Sequence, residues 1–126
     1  MVGIVIVSHS SDLANGVAEL AAQVAGDEVA IHAAGGGPGG SLGTDEALVR
    51  DAISKADAGD GVLVLGDLGS AILTIRHVLE GGNGHVKLAD APLVEGAVAA
   101  AVIASMGSSL ADTARAAEEA RHARKL

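Results

Sequence analysis

Cysteine and all three aromatic residue types are absent from this sequence, and proline occurs only twice. Without cysteine there is no disulfide framework, no thiolate zinc site and no cysteine nucleophile. Without Phe, Tyr or Trp there is no stacking surface for the flat face of a sugar or for an unpaired base. Positive charge is also scarce: Lys+Arg number 8 against 16 Asp+Glu, a net charge of -8. That balance repels nucleic acid and anionic membranes, so neither is expected as a partner. The longest uninterrupted apolar run, Ala97 to Ala104, falls far short of the ~20 residues that a membrane-spanning helix needs. Met1 leads straight into a strand-like segment with no basic residues before it, so no signal peptide is expected. Together these absences predict a soluble, cytoplasmic protein.

What is present predicts one compact domain over residues 1–126, since 126 residues of which 49% are hydrophobic suffice for a core. That core must be built from Val, Ile, Leu and Ala. Glycine is abundant, 18 of 126 residues, about twice the usual ~7%. Gly35, Gly36, Gly37, Gly39 and Gly40 crowd one loop, and Gly81, Gly82 and Gly84 another.

Strand-like and helix-like segments alternate along the chain. Val2 to Val7 is a β-branched apolar run, the pattern of a strand covered on both faces. Asp12 to Val24 places Leu13, Val17, Leu20 and Val24 at helical spacing, with Ser11 or Asp12 as cap. Glu28 to Ala33 reads as a second strand. Thr44 is a good N-cap for a helix running to about Ala58, with Asp45 and Glu46 in its first turn. Gly61 to Gly66 is a third strand, and Ala71 to Glu80 a helix with Ile72, Ile75 and Leu79 on one side. His85 to Ala89 alternates like an edge strand; Val94 to Ser105 is a helix with almost no polar face, and Ser108 or Ser109 starts the last helix. This order predicts a single-domain α/β fold: an open, mostly parallel four-stranded sheet with helices on both faces.

In such sheets the site lies beyond the carboxyl ends of the central strands, where strand order reverses. The first and third strands are the most apolar and are expected as central neighbours. Past their ends come Ser8-His9-Ser10-Ser11 and Asp67-Leu68-Gly69-Ser70. His9 has no metal-ligand spacing around it. Two helix N-termini and the hydroxyls of Ser10, Ser11 and Ser70 instead offer what a phosphoryl group needs. An imidazole nitrogen attacks phosphorus well when its other nitrogen is held by an acceptor, and Asp67 is the natural one. The plainer alternative is that His9 caps a turn and Asp67 caps the next helix. His32, His77, His85 and His122 fit structural or solvated positions, and no metal site is expected. Arg50 and Arg76 fit exposed helical faces. The glycine loop lacks GxxxxGK[ST] and follows the wrong strand for a dinucleotide fingerprint. A mobile lid or a partner-contacting loop is the better reading.

VIVSHSS at 5–11, LGTD at 42–45, VLVLGDLGSA at 62–71 and APLVEGAVAA at 91–100 resemble the phosphotransfer subunits of phosphoenolpyruvate-dependent dihydroxyacetone kinases. The domain of these subunits is similar to the mannose-type enzyme IIA of the sugar phosphotransferase system. The resemblance implies that His9 carries the phosphoryl group, that Asp67 lies beside it, and that Gly69 and Ser70 fall at the neighbouring helix start. It implies a relay from the phosphocarrier HPr to His9 and on to ADP held by the kinase's nucleotide-binding subunit. No cofactor is then expected beyond the covalent phosphoryl group. Since the chain ends at residue 126, the donor proteins are expected to be separate. The mean hydropathy of +0.43 suits a buried self-interface, and the resemblance implies a homodimer. Two alternatives stand beside this reading: a sugar-transport enzyme IIA passing phosphate to a IIB protein, and a non-catalytic regulatory module in which His9 is structural.

Overall fold

The computed structural model describes residues 1–126. Four strands form, β1 (Gly3–Ser8), β2 (Ile31–Gly35), β3 (Val62–Gly66) and β4 (Val86–Leu88), in the order β2-β1-β3-β4. All neighbouring pairs are parallel, as the alternation with helices requires. Every residue of β1 and β3 is buried, which is why both runs are apolar throughout rather than alternating. The expected central pair is therefore present, with Val7 opposite Gly66. β4 is the short edge strand that its mixed pattern suggested.

Five α-helices cover the sheet: α1 (Ser11–Ala25), α2 (Glu46–Ala56), α3 (Gly69–Val78), α4 (Leu93–Ser105) and α5 (Leu110–Glu119). Alternate side chains of the central strands feed two separate cores. Ile4, Ile6, Leu63 and Leu65 pack with residues of α1, α4 and α5 on one face. Val5, Val7, Val62 and Val64 pack with residues of α2 and α3 on the other. Fully burying each such Ile, Leu or Val stabilises the fold by about 1.5–3 kcal/mol. The helices meet this sheet largely through alanine, with Ala97, Ala100, Ala101 and Ala104 of α4 all buried. Small side chains let the layers approach closely, so the core closes without aromatic plates.

Several boundaries differ from the sequence reading, each for a physical reason. The buried stripe of α1 is Ala14, Val17 and Ala21, while Leu13, Leu20 and Val24 are exposed. The helix turns its small residues inward because β2 presses against its first turn. A Cβ on Gly35 would lie 2.5 Å from the Ser11 Cα, leaving no room for leucine between them. Strand β2 begins at Ile31 rather than Glu28, and the apolarity of Val29 serves a buried position in the preceding turn. The α1 cap is Ser10, not Ser11 or Asp12, because its Oγ accepts from the Leu13 N–H at 3.2 Å. Likewise Asp45 caps α2 in place of Thr44, accepting from the Ala47 N–H at 2.9 Å. The Oγ1 of Thr44 is buried without a hydrogen-bond partner. Helix α2 stops at Ala56, short of Ala58, and α3 starts two residues before Ala71, drawing Gly69 and Ser70 into its first turn.

Replacing Gly35 by Ala places a methyl group against backbone that cannot yield cheaply. The expected loss is about 1–3 kcal/mol of stability, read as a lower urea midpoint at unchanged m-value.

Candidate active site

The site grows out of the ends of β1 and β3. Because Val7 and Gly66 are register partners, the residues just beyond them, Ser8-His9 and Asp67, are brought together above the sheet. Ser8 is fully buried, and a buried hydroxyl must find partners. Its Oγ donates to Asp67 Oδ2 at 2.7 Å and accepts from the Ser10 N–H at 3.0 Å. The His9 backbone N–H donates to the same Oδ2 at 3.1 Å. On the other carboxylate oxygen, Asp67 Oδ1 lies 2.9 Å from His9 Nδ1 and accepts from the Leu68 N–H at 2.7 Å. Four donors thus converge on one carboxylate.

The electrostatic consequence follows directly. Partial burial by itself would raise the pKa of Asp67, but the hydrogen bonds from Ser8, His9 and Leu68 outweigh it and hold the carboxyl below its ordinary value. An ionised carboxylate only accepts, so Nδ1 carries the proton and the lone pair of the neutral ring falls on Nε2. That nitrogen is directed at the Ser70 hydroxyl. The His9 side chain retains 25% exposure against 12% for Asp67, so the imidazole is the more accessible of the pair.

Ser70 lies in the first turn of α3, whose cap residue Leu68 supplies no side-chain acceptor. The leading N–H groups of α3, including those of Gly69 and Ser70, are therefore left without intrahelical partners. With the positive end of the helix dipole they form a ready anion site beside Nε2. Asp67 does not cap α3, so the plainer reading of it as a helix cap is corrected; it serves His9 and Ser8 instead. Ser10 and Ser11 stand at the start of α1 beside His9, but neither hydrogen-bonds to its ring; the Ser10 oxygen is engaged in capping.

Ser8 was overlooked by the sequence reading. A serine closing an otherwise apolar buried strand is the signal that would have found it, since its hydroxyl must bond something equally buried. Arg50 pairs with Glu46 on an exposed face, as expected. Arg76 is exposed on α3, also as expected, and borders a crevice of about 370 Å³ with Asp67, Ile72, Leu88 and Asp90. A larger cavity of about 420 Å³, lined by Ile53, Leu79 and Asn83 among others, lies at the opposite end of the sheet from His9. The other histidines sit apart. His32 is in β2, His77 is 3.5 Å from Glu46, His85 is 2.9 Å from Asp57, and His122 is in a terminal 3-10 turn. The glycine loop is tied down rather than free, with Gly36 N donating to Ser8 O at 3.0 Å and Gly43 N to His9 O at 3.1 Å.

Residues 3–114 match the family of PTS system fructose IIA components, and the chain belongs to that family. Within it, the similarity runs to dihydroxyacetone kinase subunits. The chain is 43% identical over 117 residues to the phosphoryl donor subunit DhaM of the PEP-dependent dihydroxyacetone kinase of Escherichia coli K12, covering 87% of this chain and 25% of that protein. It is 38% identical to a Listeria innocua DhaM, covering 81% of this chain and 85% of that one. A Lactococcus lactis phosphotransferase subunit DhaM is 36% identical, with 85% of each chain covered. This chain therefore spans about a quarter of the longer relatives and most of the shorter ones. A crystal structure of EF1359, a protein of unknown function, superposes with a TM-score of 0.79 at 37% identity over 94% of both chains. The open parallel α/β sheet read from the sequence agrees with this fold. No helix is long and apolar enough to cross a membrane.

The Asp67 carboxylate ties stability to pH. Its lowered pKa contributes stability that is present above the ordinary carboxylate range of about 4 and is lost as pH falls through the depressed value. Denaturation midpoints of the native protein and Asp67→Asn should therefore differ most near neutral pH and converge in acid.

Proposed function

We propose that this chain is a phosphohistidine relay: His9 accepts a phosphoryl group from phosphorylated HPr and passes it to ADP held on the nucleotide-binding subunit of a dihydroxyacetone kinase. The observation that carries the reading is the Asp67–His9 Nδ1 contact of 2.9 Å, which leaves Nε2 as the free nucleophile at the N-terminus of α3. The DhaM names of the relatives support the kinase setting.

In the first step the Nε2 lone pair attacks phosphorus. The new N–P bond forms as the donor's N–P bond breaks, and the donor nitrogen keeps the electron pair. Asp67 holds the Nδ1 proton throughout and stabilises the positive charge that develops on the ring. The phosphoryl oxygens come to rest against the Gly69 and Ser70 N–H groups and the Ser70 hydroxyl, which turns from Nε2 to an oxygen. In the second step a β-phosphate oxygen of ADP attacks, the N–P bond breaks, and its electrons return to Nε2. Metal ions on the nucleotide and the groups that fix its position come with the partner.

Incubation with phosphoenolpyruvate, enzyme I and HPr should add one phosphoryl group by intact mass, lost in acid, kept in base and absent from His9→Ala. Asp67→Asn should slow transfer by about 10²–10⁴-fold. The phosphorylated protein should persist with free Mg-ADP and discharge when the ADP-bearing subunit is added. Label retained in His9→Ala, or rapid discharge to free Mg-ADP, would sink the reading.

The proposal includes a homodimer. Val94, Val98 and Val102 of α4 and its C-cap residue Met106 recur every four residues, and Val94 and Met106 are exposed. A second copy covering that stripe would remove it from water. Light scattering should give twice the 12.2 kDa chain mass, and Met106→Lys combined with Val102→Lys should return the monomer.

A further inference from the structure

An aspartate carboxylate turns easily about χ2, because sp³–sp² torsions have broad wells. Asp67 therefore needs outside contacts to keep Oδ1 aimed at His9 Nδ1. Its four donors divide two and two. Oδ1 takes the Leu68 N–H at 2.7 Å and the His9 ring at 2.9 Å. Oδ2 takes the Ser8 hydroxyl at 2.7 Å and the His9 N–H at 3.1 Å. Leu68 is the chain neighbour of Asp67, and two of the donors belong to His9 itself. Ser8 alone reaches the carboxylate from outside that group.

Ser8 is anchored firmly enough to serve as a reference point. It is fully buried and closes β1, in register with Gly35 of β2. Its carbonyl accepts from the Gly36 N–H at 3.0 Å. The hydroxyl is fixed in direction as well. Its oxygen accepts from the Ser10 N–H at 3.0 Å, which leaves its proton to point at Oδ2. A serine that only satisfied itself could bond its own strand or the turn after it. This one spends its proton on a residue 59 positions away. Burial alone would lift the Asp67 pKa, and the Ser8 hydrogen bond leads the contacts that bring it below its ordinary value.

We infer that Ser8 is a positioning residue for phosphoryl transfer: its hydroxyl fixes the rotation of the Asp67 carboxylate and so keeps the His9 proton on Nδ1 and the lone pair on Nε2. This rests on the phosphohistidine reading of His9. Ser8 transfers no atom, and its complete burial keeps it from meeting a donor or an acceptor. Without its hydroxyl, Oδ2 keeps one donor in place of two, and the carboxylate can swing away from Nδ1. The imidazole then has no fixed acceptor. Its proton can pass to Nε2, where it occupies the lone pair that attacks phosphorus.

The test measures His9 phosphorylation by phosphorylated HPr and by phosphoramidate, a small donor, in the native protein, Ser8→Ala and Ser8→Thr. In Ser8→Ala the rate at saturating HPr should fall about 10–100-fold, the scale on which an outer partner acts through the group it orients. The HPr concentration at half-maximal rate should stay the same. The rate with phosphoramidate should fall by the same factor, because the defect lies in the nucleophile and not in docking. Ser8→Thr, which keeps a hydroxyl, should recover most of the rate. Nitrogen NMR of the ring should show Nδ1 protonated in the native protein and the proton shared between both nitrogens in Ser8→Ala. Carbon NMR should show the Asp67 carboxyl titrating at higher pH in that variant. Ser8→Cys, whose thiol is a weaker donor, provides the same readings at smaller amplitude should Ser8→Ala fail to fold. A native rate in folded Ser8→Ala, or a slowed rate with native tautomer and native Asp67 titration, would overturn the assignment. Failure of the native protein to be phosphorylated by either donor would overturn the phosphohistidine reading and this inference with it.

Discussion

One carboxylate organises the working end of this molecule. Asp67 accepts from the Ser8 hydroxyl, the His9 N–H, the His9 ring and the Leu68 N–H, and so ties the end of β1 to the end of β3. The same four contacts satisfy a buried serine, fix the first residue after each strand and choose the imidazole tautomer. Removing the charge would loosen all of these at once, because they share an acceptor. The parallel pairing of β1 with β3 makes this possible. Two strands running the same way deliver both of their carboxyl ends, and the helix starts that follow them, to one edge of the sheet.

Close packing of small side chains is the second constraint. Gly35 and Gly3 each lie where a Cβ would meet backbone, at 2.5 Å from Ser11 Cα and 2.0 Å from Ala56 O. These approaches set α1 against β2 and α2 against β1. They also explain why α1 turns Ala14, Val17 and Ala21 inward and its leucines outward. None of the cavities is lined by His9, whose side chain is a quarter exposed. In the proposed relay that suits a group that meets macromolecules in turn rather than one that encloses a small substrate.

Much of this was legible in the chain. The apolar runs at 2–7 and 61–66 identified the central strands because a strand buried on both faces needs no polar alternation. The turns after them located His9, Asp67 and Ser70 together. Side-chain hydrogen-bond competition was harder to read. Thr44 and Asp45 are both good caps, and only the chain path, with Thr44 bridging to Gly36, gives the role to Asp45. The orientation of α1 was misread because size was taken for burial. Leu13, Val17, Leu20 and Val24 have helical spacing, yet of these only Val17 is buried, beside Ala14 and Ala21; the close approach of β2 to the first turn is a tertiary limit that periodicity does not encode. Ser8 was missed for a related reason: its importance lies in a partner 59 residues away.

The acidity of the chain bears on how a phosphoryl dianion is to be held. With 16 acidic residues against 8 basic ones, a site built from lysine and arginine would have to be carved out of an opposing field. Backbone N–H groups at a helix start avoid that conflict, since their partial charges are fixed, need no counterion and survive in an acidic surround. They also bind less tightly than a cluster of full charges, which is an advantage where the group must leave again. Of the basic side chains, Arg76 alone borders the crevice beside Asp67, and it is exposed rather than clamped. The holding interactions at His9 are thus weak and preformed. In the proposed function the strong ones, metal ions and a nucleotide fixed in place, come with the partner. In the proposed relay that division leaves the group easy to release, because the partner of the second step supplies the cations this chain lacks.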